Sequence, residues 1–134
     1  MSENNDRSMR STLGRIRGFG AAKAGTHHWW LQRLTAIALV ILSLYLLASF
    51  FCHVVFGNGY ADASAWLHNP CIAVAMILFI AVGFHHAASG TQVVIEDYVH
   101  CECMKLGLII AVKFIAAGFA TGGILATGKI FFGA

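Results

Sequence analysis

The stretch IALVILSLYLLASFFCHVVF, Ile37–Phe56, decides the fold: it is twenty residues long and holds no Lys, Arg, Asp or Glu. At 1.5 Å of rise per residue, a helix of about that length crosses a hydrocarbon layer roughly 30 Å thick. Working outward, the first span is read as about 30–56. The loop that follows, GNGYADASAWLHN over 57–69, carries Asp62 but no Lys or Arg. A second apolar stretch, CIAVAMILFIAVGFHHAASGTQVVI, follows Pro70, a residue suited to a first helical turn because its missing N–H is not needed there. The second span is therefore read as about 70–95. The segment EDYVHCECMK separates it from a third, about 106–132.

Composition agrees. The chain has 134 residues, a mean hydropathy of +0.72, 58% hydrophobic residues and 11% charged ones, against about 25% charged in an average soluble domain. Three spans with short connections leave no room for a separate soluble catalytic domain. The expected fold is an all-α membrane protein of three transmembrane helices, with 1–25 as a solvated tail and 26–134 as the membrane domain. The tail holds Arg7, Arg10, Arg15, Arg17 and Lys23 but no apolar core of signal-peptide type, so it is expected to stay in the mature protein. Because cytoplasmic flanks collect basic residues, the N-terminus is expected in the cytoplasm and the C-terminus in the periplasm; Lys105 agrees and Lys129 runs against the rule. Trp29 and Trp30 at one boundary, with Tyr60 and Trp66 at the other, read as interfacial anchors. Gly118 and Gly122, four residues apart in the third span, predict a face for close helix packing, and Lys113 reads as a snorkelling cation. Cys52, Cys71, Cys101 and Cys103 show no zinc-ligand spacing, and only Cys101-x-Cys103, in a loop, is a candidate reactive pair.

Ionisable residues inside a span are expensive, so His85 and His86 demand an explanation. At about 100° per residue, Gly90 and Val93 each lie within about 40° of His86, and Asp97 returns to within about 20° of it. That stripe offers an imidazole, a gap without a side chain that admits a large flat ligand, and a carboxylate at the boundary. A neutral imidazole is a common axial ligand of haem iron. His85, Ser89, Gln92 and Glu96 form a second polar stripe about 100° away. Intramembrane histidines also serve simply as hydrogen-bond partners between helices, and position leaves both roles, and both faces, open.

Two local motifs add a resemblance. HAASGTQVVIEDY, His86–Tyr98, resembles the pattern H-x-x-x-G, six residues, then D-Y, of the small hydrophobic membrane-anchor subunit of succinate dehydrogenase, respiratory complex II. GTHHWWLQRLTA, Gly25–Ala36, resembles the entrance to that protein's first helix, where a His precedes R-x-T-A by six residues; the sister anchor of the same complex instead reads S-x-x-H-R-x-T-G there. The similarity covers about 25–132, the third helix contributing pattern but no motif.

The resemblance implies a non-catalytic subunit of a succinate dehydrogenase, forming half of a two-subunit anchor bundle; Glu3, Asp6 and the Gly-rich stretch 18–25 select a bacterial inner membrane over the mitochondrial alternative that an Arg- and Ser-rich tail also suggests. It implies His86 as the axial ligand given to a haem b shared with the sister anchor, the doubled histidine leaving His85 as the rival, although counting back from Asp97-Tyr98 selects His86. Tyr98 would donate a hydrogen bond to a ubiquinone carbonyl, Asp97 would be structural or carry protons, and Arg33 and His27 would lie near the haem propionates and quinone site. The implied partners are the sister anchor subunit, the iron–sulfur subunit, the flavoprotein subunit and membrane lipid, not nucleic acid. His28, His100, Cys101 and Cys103 lie outside the motif. The alternatives are an anchor of quinol–fumarate reductase, a small homo-oligomeric transporter, and a scaffold whose histidines only join helices.

Overall fold

The computed structural model describes residues 22–57 and 60–133; the tail up to residue 21 lies outside them. Among the described residues four helices follow in order: α1 (Ala22–Phe50), α2 (Tyr60–Leu67), α3 (Pro70–Tyr98) and α4 (Glu102–Phe132), with a π-turn over Phe51–Val55 ending the first. Three segments are long and apolar enough to cross a membrane, Thr26–Val55, Pro70–Tyr98 and Glu102–Phe132, and every described element is helical. The protein is thus an all-helical membrane protein with three spans. Its outer faces are apolar: Leu34 is 63% exposed, Phe119 65% and Phe114 77%. Such surfaces suit lipid or protein neighbours, and helices satisfy their backbone hydrogen bonds internally there.

The helices outrun the expected spans. Residues 22–25, expected in the tail, belong to α1, and α3 and α4 leave only Val99–Cys101 between them. Asp97 and Tyr98 are therefore on the last turn of α3, and Cys103 is helical instead of lying in a loop, with Cys101 as the N-cap of α4. Glu102 and Lys105 pair at 3.0 Å in that first turn.

The described residues fall into two units, divided between Leu31 and Gln32. In the first, the exposed rings of Trp29 and Trp30 meet edge to face at 5.2 Å. In the second, α2 closes the junction between α1 and α3. Asn69 caps α3, its Oδ1 accepting from the Cys71 N–H at 2.9 Å, with Pro70 at the first helical position. Trp66, expected as an interfacial anchor, is instead only 9% exposed and packs with Leu46, Ile72 and Ala75. Its Nε1–H donates to Ser49 Oγ at 2.7 Å and its ring meets Phe50 edge to face at 5.8 Å. The 57–69 connection folds back because Trp66 carries both a large apolar body and a donor that Ser49 satisfies. The side chain of Tyr60 lies outside the described residues.

On the other side of α3, α4 runs antiparallel to it. A Cβ added at Gly123 would stand 3.2 Å from two atoms of Ile80, and one turn away Phe84 stacks on Phe119 at 6.1 Å. Gly118 and Gly122 meet nothing within 4 Å of such a Cβ, so the glycine that α3 approaches is Gly123, outside the predicted pair.

Candidate functional site

The α1–α3 seam positions the site. Along α1 the inward residues follow a spacing of three and four: Gln32, Thr35, Leu39, Leu42, Leu46. Against them α3 sets Gly90, His86, Gly83, Phe79, Met76 and Ile72 in the opposite order. This alternation is the ordinary seam of antiparallel packed helices. Two glycines admit α1 on either side of His86. The Leu39 Cδ2 lies 3.7 Å from where a Cβ of Gly83 would be, and Gln32 Nε2 lies 3.3 Å from the corresponding point at Gly90. The notch at Gly90, expected to admit a flat ligand, is thus filled by the chain's own Gln32.

Between the two notches, Thr35 Oγ1 and His86 Nδ1 stand 2.9 Å apart, a hydrogen bond linking α1 to α3 across 51 residues of sequence. The Thr35 hydroxyl also reaches the Gln32 carbonyl oxygen at 3.1 Å, a common bond for a helical Thr. His86 is half-buried, whereas His85 is exposed. The two polar stripes are thereby told apart: the one with His86 and Gly90 meets α1. The other exposes His85 and Glu96, with Gln92 Nε2 donating to Glu96 Oε1 at 2.7 Å. Gln32 Oε1 is buried with no hydrogen-bond partner among the described residues.

The other expected site residues are spread along the helix ends. Arg33 is exposed on the turn of α1 that carries Gln32. Asp97 and Tyr98 are exposed at the end of α3, Tyr98 to 79%, and the Val99 N–H closes that end on the Ile95 carbonyl at 2.9 Å. His27 is exposed in the unit that ends at Leu31. Within the second unit the structure therefore joins His86 to α1 through Thr35 and Gln32, while Arg33, Asp97 and Tyr98 present open surface. Among the described residues no three His, Cys, Asp or Glu side chains gather as a metal site.

Sequence comparison adds a family to this geometry. The profile described as "Succinate dehydrogenase/Fumarate reductase transmembrane subunit" matches residues 5–120. The chain belongs to that family. Its similarity to individual members of the succinate dehydrogenase/fumarate reductase transmembrane subunits runs through most of both chains. It is 38% identical over 110 residues to the succinate dehydrogenase hydrophobic membrane anchor subunit of Rickettsia bellii, covering 80% of this chain and 84% of that one. The protein of the same name from Paracoccus denitrificans is 32% identical over 100 residues, 72% of this chain and 74% of its own. The succinate dehydrogenase membrane anchor subunit of Reclinomonas americana is 31% identical over 105 residues, 73% and 82% of the two chains.

Thr35 and Gln32 escaped the sequence reading as site residues. Thr35 stood in the quoted R-x-T-A motif and shares the stripe 32/35/39, but pairing it with His86 requires the register between α1 and α3, which depends on the turn made by α2.

Proposed function

We propose that this chain is a hydrophobic membrane-anchor subunit of a succinate dehydrogenase, holding the soluble subunits to the membrane and completing a haem b and ubiquinone site with a sister anchor. The family membership and the names of the relatives support the anchor role. All three named relatives are succinate dehydrogenase subunits, which favours succinate oxidation over the reverse reaction at a quinol–fumarate reductase. A homo-oligomeric transporter gives way to the same membership.

One observation carries the haem reading: His86, half-buried, has its Nδ1 engaged by Thr35 at 2.9 Å and no hydrogen bond at Nε2 among the described residues. An imidazole held on one nitrogen with the other unengaged is the arrangement a metal ligand requires. His86 is the residue of this chain that would hold the haem, and a second ligand would be supplied by the sister anchor. The scaffold reading assigns the same histidine only the Thr35 bond, and the exposed His85 has no comparable support. A haem bound there supplies a one-electron store beside the quinone site.

The remaining roles belong to the chain's own side chains. The Tyr98 hydroxyl donates to a quinone carbonyl, and quinone takes up two electrons from the iron–sulfur subunit and two protons from the aqueous side. Asp97 carries a carboxylate to the same helix end, where it orients the site or passes those protons. Arg33 offers a fork of donors suited to propionate carboxylates, and His27 belongs to the same entrance motif. The flavoprotein oxidises succinate; this anchor performs no redox chemistry alone. The basic N-terminal flank favours that end in the cytoplasm, and the Rickettsia and Paracoccus relatives support a bacterial inner membrane.

The test is a reduced-minus-oxidised spectrum of the complex purified in mild detergent, for wild type, His86→Ala and His85→Ala. His86→Ala abolishes the b-type signal and His85→Ala keeps it. Loss in His85→Ala alone transfers the role to His85, and a wild-type complex without the signal removes the haem.

A further inference from the structure

We propose that Thr35 is a positioning residue that fixes the tautomer and ring orientation of His86, so that Nε2 presents its lone pair to the haem iron. The inference rests on the haem reading above and extends it to a residue outside the ligand itself.

A hydroxyl has one proton to donate and two lone pairs to accept with. The Thr35 hydroxyl sits 3.1 Å from the Gln32 carbonyl oxygen, which can only accept, and 2.9 Å from His86 Nδ1, which can do either. Both contacts are hydrogen bonds at once only if Thr35 donates to the carbonyl and accepts from Nδ1–H. A neutral imidazole carries a single N–H, so a proton on Nδ1 leaves Nε2 bare. The opposite tautomer turns Nε2 into a donor that cannot bind iron, and it sets two acceptors, the Gln32 carbonyl and Nδ1, competing for one proton.

The surrounding packing holds this arrangement in place. Thr is β-branched, with few rotamers open to it in a helix, and its bond to the carbonyl one turn back selects among them. Gly83 and Gly90 flank His86, with Leu39 and Gln32 occupying their notches at 3.7 Å and 3.3 Å from the missing Cβ positions. The two helices are thus held close on both sides of the pair, which keeps the Thr35 hydroxyl within reach of the ring. A partner accepting from the distal N–H of a metal-bound histidine orients the ring and raises its basicity, and losing such a partner costs about 10–100-fold in metal affinity or activity.

The experiment compares wild type, Thr35→Val and Thr35→Ser in the complete complex. Valine keeps the shape and branching but cannot accept; serine restores the hydroxyl. A more basic imidazole favours ferric iron, so Thr35→Val shifts the haem equilibrium toward the reduced form by about tenfold, about 59 mV for one electron. It also changes the low-spin ferric resonance, and Thr35→Ser returns both toward wild type. Potential and resonance unchanged in Thr35→Val, or Thr35→Ser behaving as the valine variant, overturns the proposal. A second measurement needs no haem. In the full chain labelled with ¹⁵N-histidine and stripped of cofactor, His86, assigned by comparison with His86→Ala, shows a protonated Nδ1 in wild type and a mixed tautomer in Thr35→Val. A protonated Nε2 in wild type refutes the inference. A haem-free wild-type complex with protonated Nδ1 refutes the ligand reading while leaving the tautomer assignment intact.

Discussion

Replacing Gly123 by Leu tests the packing that sets α4 against α3. A Cβ alone at this position would stand 3.2 Å from both Cδ1 and Cγ2 of Ile80, inside the roughly 3.5–4.0 Å at which carbon atoms rest. Ile80 yields poorly, because a β-branched side chain has one strongly preferred χ1 in a helix. One turn away the Phe84–Phe119 stack, with rings only 9° from parallel, resists separation of the helices. Leu adds three further carbons to a contact already tight by a few tenths of an ångström. Overpacking of this kind costs about 1–3 kcal/mol, or about 5- to 150-fold in the folded-to-unfolded ratio. Lipid gives no hydrophobic drive to reunite the helices, so packing lost there is not replaced. Gly118→Leu and Gly122→Leu add a side chain where nothing stands within 4 Å and leave the chain's own stability within about 0.5 kcal/mol of wild type. The assay is an SDS titration of the purified chain in mixed micelles, followed by near-ultraviolet circular dichroism. Ile80→Ala combined with Gly123→Leu recovers part of the loss, giving a favourable coupling energy in a double-mutant cycle. Wild-type stability for Gly123→Leu, or a larger loss for Gly122→Leu, refutes the α3–α4 register described above.

Two further predictions concern the ends of the bundle. Tyr98→Phe removes one hydroxyl from an exposed position, so the haem spectrum and assembly stay as in wild type while quinone reductase activity falls about tenfold, the value of one lost hydrogen bond; unchanged activity detaches Tyr98 from the quinone site. Trp66→Phe strands Ser49 Oγ without its 2.7 Å donor and destabilises the chain by about 1–3 kcal/mol in the same titration, whereas an interfacial anchor at this position would show no such loss.

The spans could be read from Ile37–Phe56 and its two counterparts because a membrane helix satisfies its own backbone, so apolar length alone selects it. Helix ends were less legible: α3 continues through Asp97 and Tyr98, since charged residues in a last turn reach the boundary without ending the helix. The buried role of Trp66 was hidden by the same rule that made it an anchor. Its ring suits either an interface or a core that supplies an acceptor, and Ser49 lies 17 residues away in sequence.

By itself the sequence determined three membrane helices, two motifs in register with a family of respiratory anchors, and the histidine pair as the group needing an explanation. These follow from local composition and from spacing along one helix. Tertiary structure decided which histidine faces α1, that Gln32 fills the notch at Gly90, that Gly123 rather than Gly118 or Gly122 meets α3, and that Thr35 holds Nδ1 of His86. Each of these is a contact between helices. Its register is set by the turn through α2 and by which glycines admit a neighbour, and neither can be read from the periodicity of a single segment.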